Sequence, residues 1–333
     1  CTPLKMEQET GEELCFPKLT NASCRKPGWT WTEAVLPQIM LSSISLLTAS
    51  LNLLVIISVS HFKQLHTPTN TILLSLAVSD FLLGLLLMPA EIIRNTGCWF
   101  LGDLACSLYN SLSFVITSAS VGDMVLISVD RYVAICDPLR YPTRVTDTRV
   151  KAVVCLCWLC SVIYGCLVVL DDLVKPGRYK SCVGDCLISV DFIAGTVDLI
   201  VSFAVPVAVI IVLYMRVFVA AVSQARALRS HVTAVTLQLS VNMTKKSELK
   251  AARTLGVLVV VFLICYCPYY CVSLTGEDLL SDTYASYSLF LFYFNSTLNP
   301  VIYALFYPWF RKAVKLIVTF QILLPGSCDS NVL

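Results

Sequence analysis

Seven apolar blocks of membrane-spanning length limit the folds open to this chain more than any other feature of its sequence. A helix needs about 20 mostly apolar residues to cross the roughly 30 Å hydrocarbon core of a bilayer. Charged residues are absent from six stretches and interrupt a seventh only at Asp80. The uncharged stretches are 34–60, 104–122, 152–170, 199–215, 254–276 and 283–310, and the interrupted one is 67–90. The sequence therefore predicts an all-α bundle of seven transmembrane helices, named spans 1 to 7 in chain order.

The charge content excludes several classes of protein. Only 14% of the residues are charged, against about 25% in a soluble domain, so charge cannot cover a water-facing surface. A net charge of +2 gives no basic field of the kind that attracts nucleic acid. The three histidines lie in predicted loops, and the sequence has neither a Ser/His/Asp set nor an HExxH motif. We therefore expect a membrane protein that is not an enzyme.

The distribution of lysine and arginine predicts the orientation. The N-terminus shares one side with the loops after spans 2, 4 and 6, and this side holds 8 of the 24 basic residues, against 16 on the other. Basic loops stay on the cytoplasmic side of a membrane, so we predict a plasma-membrane protein with an extracellular N-terminus. The predicted outer side also holds 14 of the 22 acids, a distribution that attracts cations.

Three regions follow from this topology. Residues 1–33 are predicted to form the extracellular N-terminus, 34–307 the seven-helix transmembrane domain, and 308–333 an amphipathic helix with a short cytoplasmic tail. Apolar and basic residues alternate at helical spacing in 309–318. This pattern is typical of a helix that lies on the inner membrane surface in contact with lipid.

Seven of the sixteen cysteines fall in the predicted outer segments, where disulfides persist. They are Cys1, Cys15, Cys24, Cys98, Cys106, Cys182 and Cys186. Seven is an odd number, and Cys1 is the natural unpaired residue. The other six allow several connectivities, among which the sequence alone does not choose. The tripeptide Asn21-Ala22-Ser23 is a predicted N-glycosylation acceptor on the same side.

Three short motifs lie at helix positions typical of one receptor class. Asp130-Arg131-Tyr132 closes span 3, Cys267-Pro268 follows Phe262 in span 6, and Asn299-Pro300-Val301-Ile302-Tyr303 closes span 7. Together they resemble the motifs of rhodopsin-like G-protein-coupled receptors, and single matches occur along the other spans. These matches are Asn52, Asp80, Cys106, Trp158, Pro206, Tyr214 and Glu248.

Two longer strings resemble the trace amine-associated receptors within that class. One is SHFKQLHTPTN at 60–70, and the other is NSTLNP at 295–300, which continues to Tyr303 and Phe310. The resemblance covers about residues 15–320. It implies an amine agonist, a heterotrimeric G protein of the Gs or olfactory type that raises cAMP, arrestin as a further partner, and an olfactory role.

The resemblance also selects among the cysteine pairings. It implies that Cys106–Cys186 ties span 3 to the second outer loop. The subfamily's additional bridge to the N-terminus points to Cys15–Cys182, and Cys24–Cys98 is then the third expected pair.

On the inner side the resemblance implies an activation switch. Arg131, paired with Asp130 and Glu248, is expected to hold spans 3 and 6 together until an agonist frees it and lets Tyr214 and Tyr303 meet. An agonist shifts such an equilibrium by its differential affinity for the two states. The implied switch residues are Asp130, Arg131, Tyr132, Tyr214, Glu248, Phe262, Tyr266, Pro268, Asn299, Pro300 and Tyr303.

Span 6 departs from the family pattern at one of these positions. Two residues before Pro268 the family commonly has Trp, whereas this chain has Tyr266. Proline removes a backbone hydrogen bond and bends a helix, so the ring at Tyr266 adjoins the bend. Because Tyr is smaller than Trp and adds a hydroxyl, the basal activity is left open.

Three acids lie inside the predicted spans, where an ionisable group costs at least about 2.5 kcal/mol and marks a functional hypothesis. For Asp80 the resemblance implies an allosteric Na⁺ site, and the alternative is a hydrogen-bonded aspartate without metal. Asp123 has no implied role, and a hydrogen bond to Trp158 or to a local hydroxyl is the plain expectation. The implied sodium ligands are Asp80, Ser120, Asn295, Ser296 and Asn299.

The third acid, Asp198 in span 5, is the predicted partner of the ligand's ammonium. Most amine receptors place that carboxylate on span 3, at the position of Ser113, whose neutral hydroxyl cannot neutralise a buried ammonium. Some fish trace amine-associated receptors carry it at the span 5 position, and this chain resembles them. Asp191, seven residues earlier, is either a second acid for a diamine or a solvated residue. The other predicted ligand contacts are Ser113, Phe114, Thr117, Tyr269, Tyr270 and Tyr293.

The sequence leaves one alternative function for this fold open and argues against two others. Ser113 keeps open a receptor of the same fold for a non-amine ligand. A light receptor needs a lysine in span 7 to bind retinal, and no lysine occurs between Lys250 and Lys312. A transporter or channel is least favoured, because the sequence shows no internal repeat.

Overall fold

The computed structural model describes residues 14–19, 22–25, 31–95, 98–177, 182–186, 192–230, 256–272 and 282–332. These residues form helices that follow all seven predicted spans. Six of the helices are long and apolar enough to cross a membrane, and span 6 is described over Gly256–Val272. The predicted seven-helix fold is therefore confirmed. The predicted residues Asn21, Asp191 and Glu248 lie outside the described part of the chain.

Most helices are continuous, and two contain a wider turn. Span 1 is Trp31–His61, span 3 is Asp103–Cys136, span 4 is Asp147–Val168, span 7 is Asp282–Phe306 and the amphipathic helix is Pro308–Val318. Span 2 begins with the helix Pro68–Leu82, continues through a π turn at Leu83–Leu87 and ends with the helix Met88–Asn95. Span 5 begins with the helix Phe192–Asp198, continues through a π turn at Leu199–Ala204 and ends with the helix Val205–Ser230. Short helices at Lys63–Leu65, Tyr141–Arg144 and Leu170–Val174 lie in the connections. π turns alter helix register and are frequent at functional sites. The helix segments next to these two turns, Met88–Asn95 and Phe192–Asp198, are therefore candidate positions for a functional site.

Polar contacts and a glycine join span 1 to its neighbours. Thr48 and Thr297 share a hydrogen bond of 2.6 Å between their hydroxyls, and Asn52 Nδ2 donates to the carbonyl of Ser296 at 3.0 Å. A Cβ at Gly84 would lie 2.8 Å from the backbone nitrogen of Ala49, so glycine permits the close approach of spans 1 and 2. Spans 4 and 5 instead expose many aliphatic side chains, as helices that face lipid do.

The described residues contain three disulfides, all at one end of the bundle, which we name the N-terminal face. Cys106–Cys186 is present, as the resemblance implied. The other two pairs are Cys15–Cys98 and Cys24–Cys182. The expected pairings Cys15–Cys182 and Cys24–Cys98 are therefore wrong.

A turn in the N-terminal segment explains the different pairing. The backbone nitrogen of Cys15 donates to the carbonyl of Cys24 at 2.9 Å, and Leu14 pairs with Arg25 in antiparallel fashion, so residues 14–19 and 22–25 lie side by side. The nitrogen of Cys24 then donates to the carbonyl of Val183 at 3.0 Å, which brings the Cα atoms of Cys24 and Cys182 to 5.0 Å. Disulfides need Cα atoms within about 7 Å, and sequence order does not reveal which strand of a turn faces a given loop.

At the opposite end, named the Arg131 face, the C-terminal segment returns to the turn between spans 1 and 2. Lys63 Nζ lies 3.1 Å from Asp329 Oδ1, and the nitrogen of Val332 donates to Gln64 Oε1 at 3.3 Å. The hydrogen bond between Lys63 and Asp329 raises the pKa of the lysine and lowers the pKa of the aspartate. The tail is thus held against the base of the bundle.

Candidate ligand-binding site

Asp198 is a half-buried carboxylate held by two hydroxyl groups from neighbouring helices. Its Oδ1 accepts hydrogen bonds from the Tyr164 hydroxyl at 2.6 Å and from Ser202 Oγ at 2.8 Å. Tyr164 belongs to span 4, and Ser202 lies one turn further along span 5 within its π turn. None of the ion pairs formed among the described residues includes Asp198.

This arrangement orients a negative charge without neutralising it. Hydroxyl groups donate hydrogen bonds but carry no charge, and a carboxylate removed from water is costly unless a cation accompanies it. The two donors fix the direction of the Asp198 side chain. A positively charged ligand group is the natural complement of such a site.

Aromatic rings form a continuous row that begins beside Asp198. Phe203 of span 5 stacks on Tyr270 with ring centroids 4.4 Å apart, and Tyr270 contacts Tyr269 at 5.4 Å. Tyr269 contacts Phe292 at 4.9 Å, and Phe292 contacts Tyr293 at 5.7 Å. The row therefore joins spans 5, 6 and 7 and offers ring faces that attract cations.

The ligand contacts predicted on span 3 are Ser113, Phe114 and Thr117. The Phe114 ring packs edge-on against Tyr164 at 6.5 Å, so it is one residue removed from Asp198. Ser113 and Thr117 are half-buried and one helical turn apart on the same span. The structure thus places Tyr269, Tyr270 and Tyr293 in the aromatic row, and it adds Tyr164, Ser202, Phe203 and Phe292, which the sequence analysis did not identify.

A second charged cluster occupies the far end of the row, on spans 2, 3 and 7. Glu91 is only 1% exposed and pairs with Arg94, whose Nη2 lies 2.6 Å from Oε1 and whose Nε donates to Oε2 at 3.2 Å. The Tyr109 hydroxyl also donates to Glu91, and Tyr293 interacts electrostatically with both charged residues. Glu91 and Arg94 lie on the helical turn Met88–Asn95 beyond the π turn of span 2.

Three of the predicted sodium ligands, Asp80, Ser120 and Asn299, meet in the middle of the bundle. Asn299 Nδ2 donates to Asp80 Oδ2 at 2.8 Å, and Ser120 Oγ lies 3.5 Å from Asp80 Oδ1. Asp80 is fully buried, and among the described residues neither side-chain polar atom of Asn295 nor Oδ1 of Asn299 has a hydrogen-bond partner. Carboxylate, hydroxyl and amide oxygens are hard donors of the kind that bind small hard cations, so the donor set fits Na⁺.

Asp123 takes the plain role expected of it. Its Oδ2 accepts a hydrogen bond from Ser75 Oγ at 2.8 Å, and Ser75 accepts one from Trp158 Nε1 at 2.9 Å. This chain of bonds connects spans 2, 3 and 4 away from the aromatic row.

Four of the predicted switch residues, Asp130, Arg131, Tyr214 and Tyr303, lie toward the Arg131 face. Arg131 pairs with Asp130, and both residues bond Thr69 Oγ1, at 2.6 and 3.0 Å respectively. The Tyr214 hydroxyl lies against span 6, because a Cβ at Gly256 would be 2.1 Å from it. The Tyr303 hydroxyl is buried without a hydrogen-bond partner among the described residues.

Comparisons with known proteins agree with this geometry. Residues 51–303 match the family described as 7 transmembrane receptor (rhodopsin family). The chain is 37% identical to trace amine-associated receptor 13c of Danio rerio, over 98% of each protein. It is 36% identical to trace amine-associated receptor 1 of Mus musculus, over 96% of this chain and 98% of that protein, and 36% identical to trace amine-associated receptor 7e of Mus musculus, over 97% and 92%. The chain therefore belongs to the trace amine-associated receptor subfamily of the rhodopsin-family receptors, which are multi-pass membrane proteins and not enzymes.

Proposed function

We propose that this receptor binds amines at its N-terminal face and activates a Gs-type G protein that raises cAMP, in an olfactory role and with arrestin as a further partner. The names of its relatives support the amine class, since each is a trace amine-associated receptor. The excess of basic residues on the other side, 16 of 24, supports an extracellular N-terminal face.

The observation that carries the proposal is the environment of Asp198. Its described partners are the hydroxyls of Tyr164 and Ser202, and an aromatic row begins beside it. The ammonium of an amine supplies the positive charge that this carboxylate lacks, and its body packs along the rings. Ser113 offers only a hydroxyl, which supports the assignment of the ammonium to span 5.

Tyr266 offers a route from the ligand to the centre of the bundle. Its ring lies 4.6 Å from Phe292 of the aromatic row and 4.3 Å from Phe262, and its hydroxyl interacts with Ser120 beside Asp80. A ligand that displaces Phe292 would therefore move both the Phe262 ring and the polar cluster. In this proposal Tyr266 performs the task that Trp performs elsewhere in the family.

At the Arg131 face the proposed response is a population shift. In the described state Asp130 and Arg131 of span 3 both bond Thr69 of span 2, and Tyr214 of span 5 packs on Gly256 of span 6. An agonist favours the state in which Tyr214 meets Tyr303 and spans 3 and 6 separate. That separation forms the groove for the C-terminal helix of the G protein.

We also propose a bound Na⁺ at Asp80. The residues that would hold it are Asp80, Ser120, Asn295, Ser296 and Asn299. A bound ion would supply a positive charge that offsets Asp80, and these side chains would hold it between spans 2, 3 and 7, where Asp80 is closed to bulk water.

The test of the amine proposal is the cAMP response of transfected cells to a panel of mono-, di- and polyamines. Losing a charge partner costs about 2–5 kcal/mol, so Asp198→Asn should raise the EC50 of active amines about 100-fold. Asp171→Asn removes an acid from the same face outside the spans and should leave the EC50 unchanged. Equal potency on the parent and Asp198→Asn, at equal surface expression, would contradict the assignment.

A second candidate is a non-amine ligand in the same site, and Ser113 is the observation that favours it. If no amine activates a receptor that reaches the cell surface, this candidate replaces the first. A new response to amines in Ser113→Asp would instead support an ammonium site that has moved from span 3 to span 5.

A further inference from the structure

Two acids face the aromatic row, and they differ in charge balance. Asp198 has hydroxyl partners, whereas Glu91 receives two hydrogen bonds from the Arg94 guanidinium and one from Tyr109. A bidentate guanidinium–carboxylate pair is the strongest and most directional of the common ion pairs. Glu91 is therefore neutralised by the protein itself.

The Glu91–Arg94 pair belongs to the same wall as Asp198. Tyr269 interacts electrostatically with Asp198, Glu91 and Arg94 together. Tyr293 interacts with Tyr269 and with both members of the pair. Asp198, which pairs with no cation among the described residues, and the compensated Glu91 thus stand toward opposite ends of one row of rings.

This difference in charge balance determines which groups are tolerated at the end of a ligand opposite its ammonium. An ammonium that approached Glu91 would have to displace Arg94 from a pair whose carboxylate is buried, or lie beside another cation. Breaking a buried pair and placing like charges together are both strongly unfavourable. An uncharged aliphatic or aromatic group meets neither cost and packs on the tyrosine rings.

We propose that Arg94 is a specificity-determining residue: by neutralising Glu91, it restricts the receptor to amines with a single basic centre and an uncharged body. The inference rests on the proposed function, in which Asp198 binds the ammonium. Without Arg94 the row would have, toward each end, a carboxylate that is bonded to hydroxyl groups and paired with no cation among the described residues, the arrangement that suits a diamine.

The experiment measures cAMP EC50 values for n-alkylamines and α,ω-diaminoalkanes of matched chain length. In the parent, the diamine of each active pair should be weaker by about tenfold or more. Arg94→Gln should improve the diamine relative to the monoamine by about tenfold, because Glu91 is then free. Glu91→Gln leaves Arg94 uncompensated and should widen the preference for monoamines.

Two controls separate charge from structural disturbance. The double variant Glu91→Gln/Arg94→Gln has no net change in charge and should keep the parent's ratio of diamine to monoamine EC50. Lys151→Gln removes an exposed cation that pairs with Asp147 at 2.6 Å on the Arg131 side and should also keep it.

Diamines as potent as monoamines on the parent would overturn the proposal, as would an unchanged ratio in Arg94→Gln at normal surface expression. If Arg94→Gln does not reach the surface, the test is the ratio of diamine to monoamine EC50 in Glu91→Gln. The proposal is overturned if this variant does not prefer monoamines more strongly than the parent does. Failure of the proposed function looks different: either no amine acts, in which case both proposals fall, or Asp198→Asn leaves potency unchanged. Failure of this inference alone leaves the dependence on Asp198 intact.

Discussion

At the scale of single residues, the hydroxyls of Tyr164 and Ser202 hold the Asp198 carboxylate in one direction without removing its charge. The Tyr164 bond crosses from span 4 to span 5, so it orients the carboxylate and also fixes the contact between two helices. A side chain held in this way loses less conformational freedom when it binds an ammonium. Preorganisation of this kind contributes to affinity in addition to the charge itself.

Tyr164→Phe tests this role because it removes the hydroxyl and keeps the ring that packs on Phe114. A single hydrogen bond contributes about 0.5–1.5 kcal/mol, so the EC50 of an active amine should rise about threefold to tenfold in cAMP assays. Tyr287→Phe, at an exposed position on span 7, is the matched control. A loss as large as that of Asp198→Asn, or none at all, would show that Tyr164 does not act through the carboxylate.

The sequence predicts some of these residues and not others for identifiable reasons. Asp198 is recognisable because an acid in an apolar stretch is costly and hence conspicuous. Tyr164 is one aromatic residue among many in span 4, and its bond to Asp198 depends on how two helices meet. Glu91 and Arg94, three residues apart at the end of span 2, resemble a solvated helix pair, and only the bundle shows that Glu91 is buried.

At the scale of elements, the contact between spans 5 and 6 rests on the absence of one side chain. The Tyr214 ring occupies the space in which Gly256 would carry a Cβ. This contact places the Tyr214 ring against span 6, and in the proposed switch the ring leaves that position to meet Tyr303. Helix extents follow from the apolar blocks, but a contact of this kind follows from the packing of two helices and is not visible in either block.

Gly256→Ala should displace the Tyr214 ring and raise basal cAMP. A bias of about 1 kcal/mol changes the ratio of active to inactive receptor roughly fivefold, which is the expected scale of the increase. In Tyr214→Leu there is no hydroxyl to displace, so adding Gly256→Ala to that variant should have little further effect. Unchanged or lower basal activity in Gly256→Ala would contradict a restraining role for the contact.

At the scale of the whole molecule, three polar centres lie along the bundle axis: Asp198 with the aromatic row, the Asp80 cluster, and the Asp130–Arg131 pair. Tyr266 bridges the first two through Phe292 and Ser120. The seven-helix fold and the motifs that contain Asp80 and the Asp130–Arg131 pair can be recognised in the sequence. Two of the three disulfide pairs at the N-terminal face are not, because Cys24 reaches Cys182 only once residues 14–19 and 22–25 lie side by side.

Sodium should stabilise the whole bundle if the Asp80 cluster binds it. A ligand present well above its Kd adds roughly 1–3 kcal/mol to the folded state, a rise in Tm of a few degrees for a protein of this size. The Tm of the detergent-purified parent should therefore fall when NaCl is replaced by N-methyl-D-glucamine chloride at equal ionic strength. Asp80→Asn should show no such dependence, and an equal shift in both proteins would exclude the cluster as the site.

Direct binding to the purified receptor tests the central claim, that Asp198 selects ligands by their positive charge. The measurement compares the Kd of an active primary amine with that of the alcohol of the same carbon skeleton, for the parent and for Asp198→Asn. The parent should prefer the amine by about 100-fold, and Asp198→Asn should reduce that preference to roughly threefold or less, since the asparagine offers no charge. A parent that binds the alcohol as tightly as the amine, or an Asp198→Asn variant that keeps the parent's preference, would contradict the account.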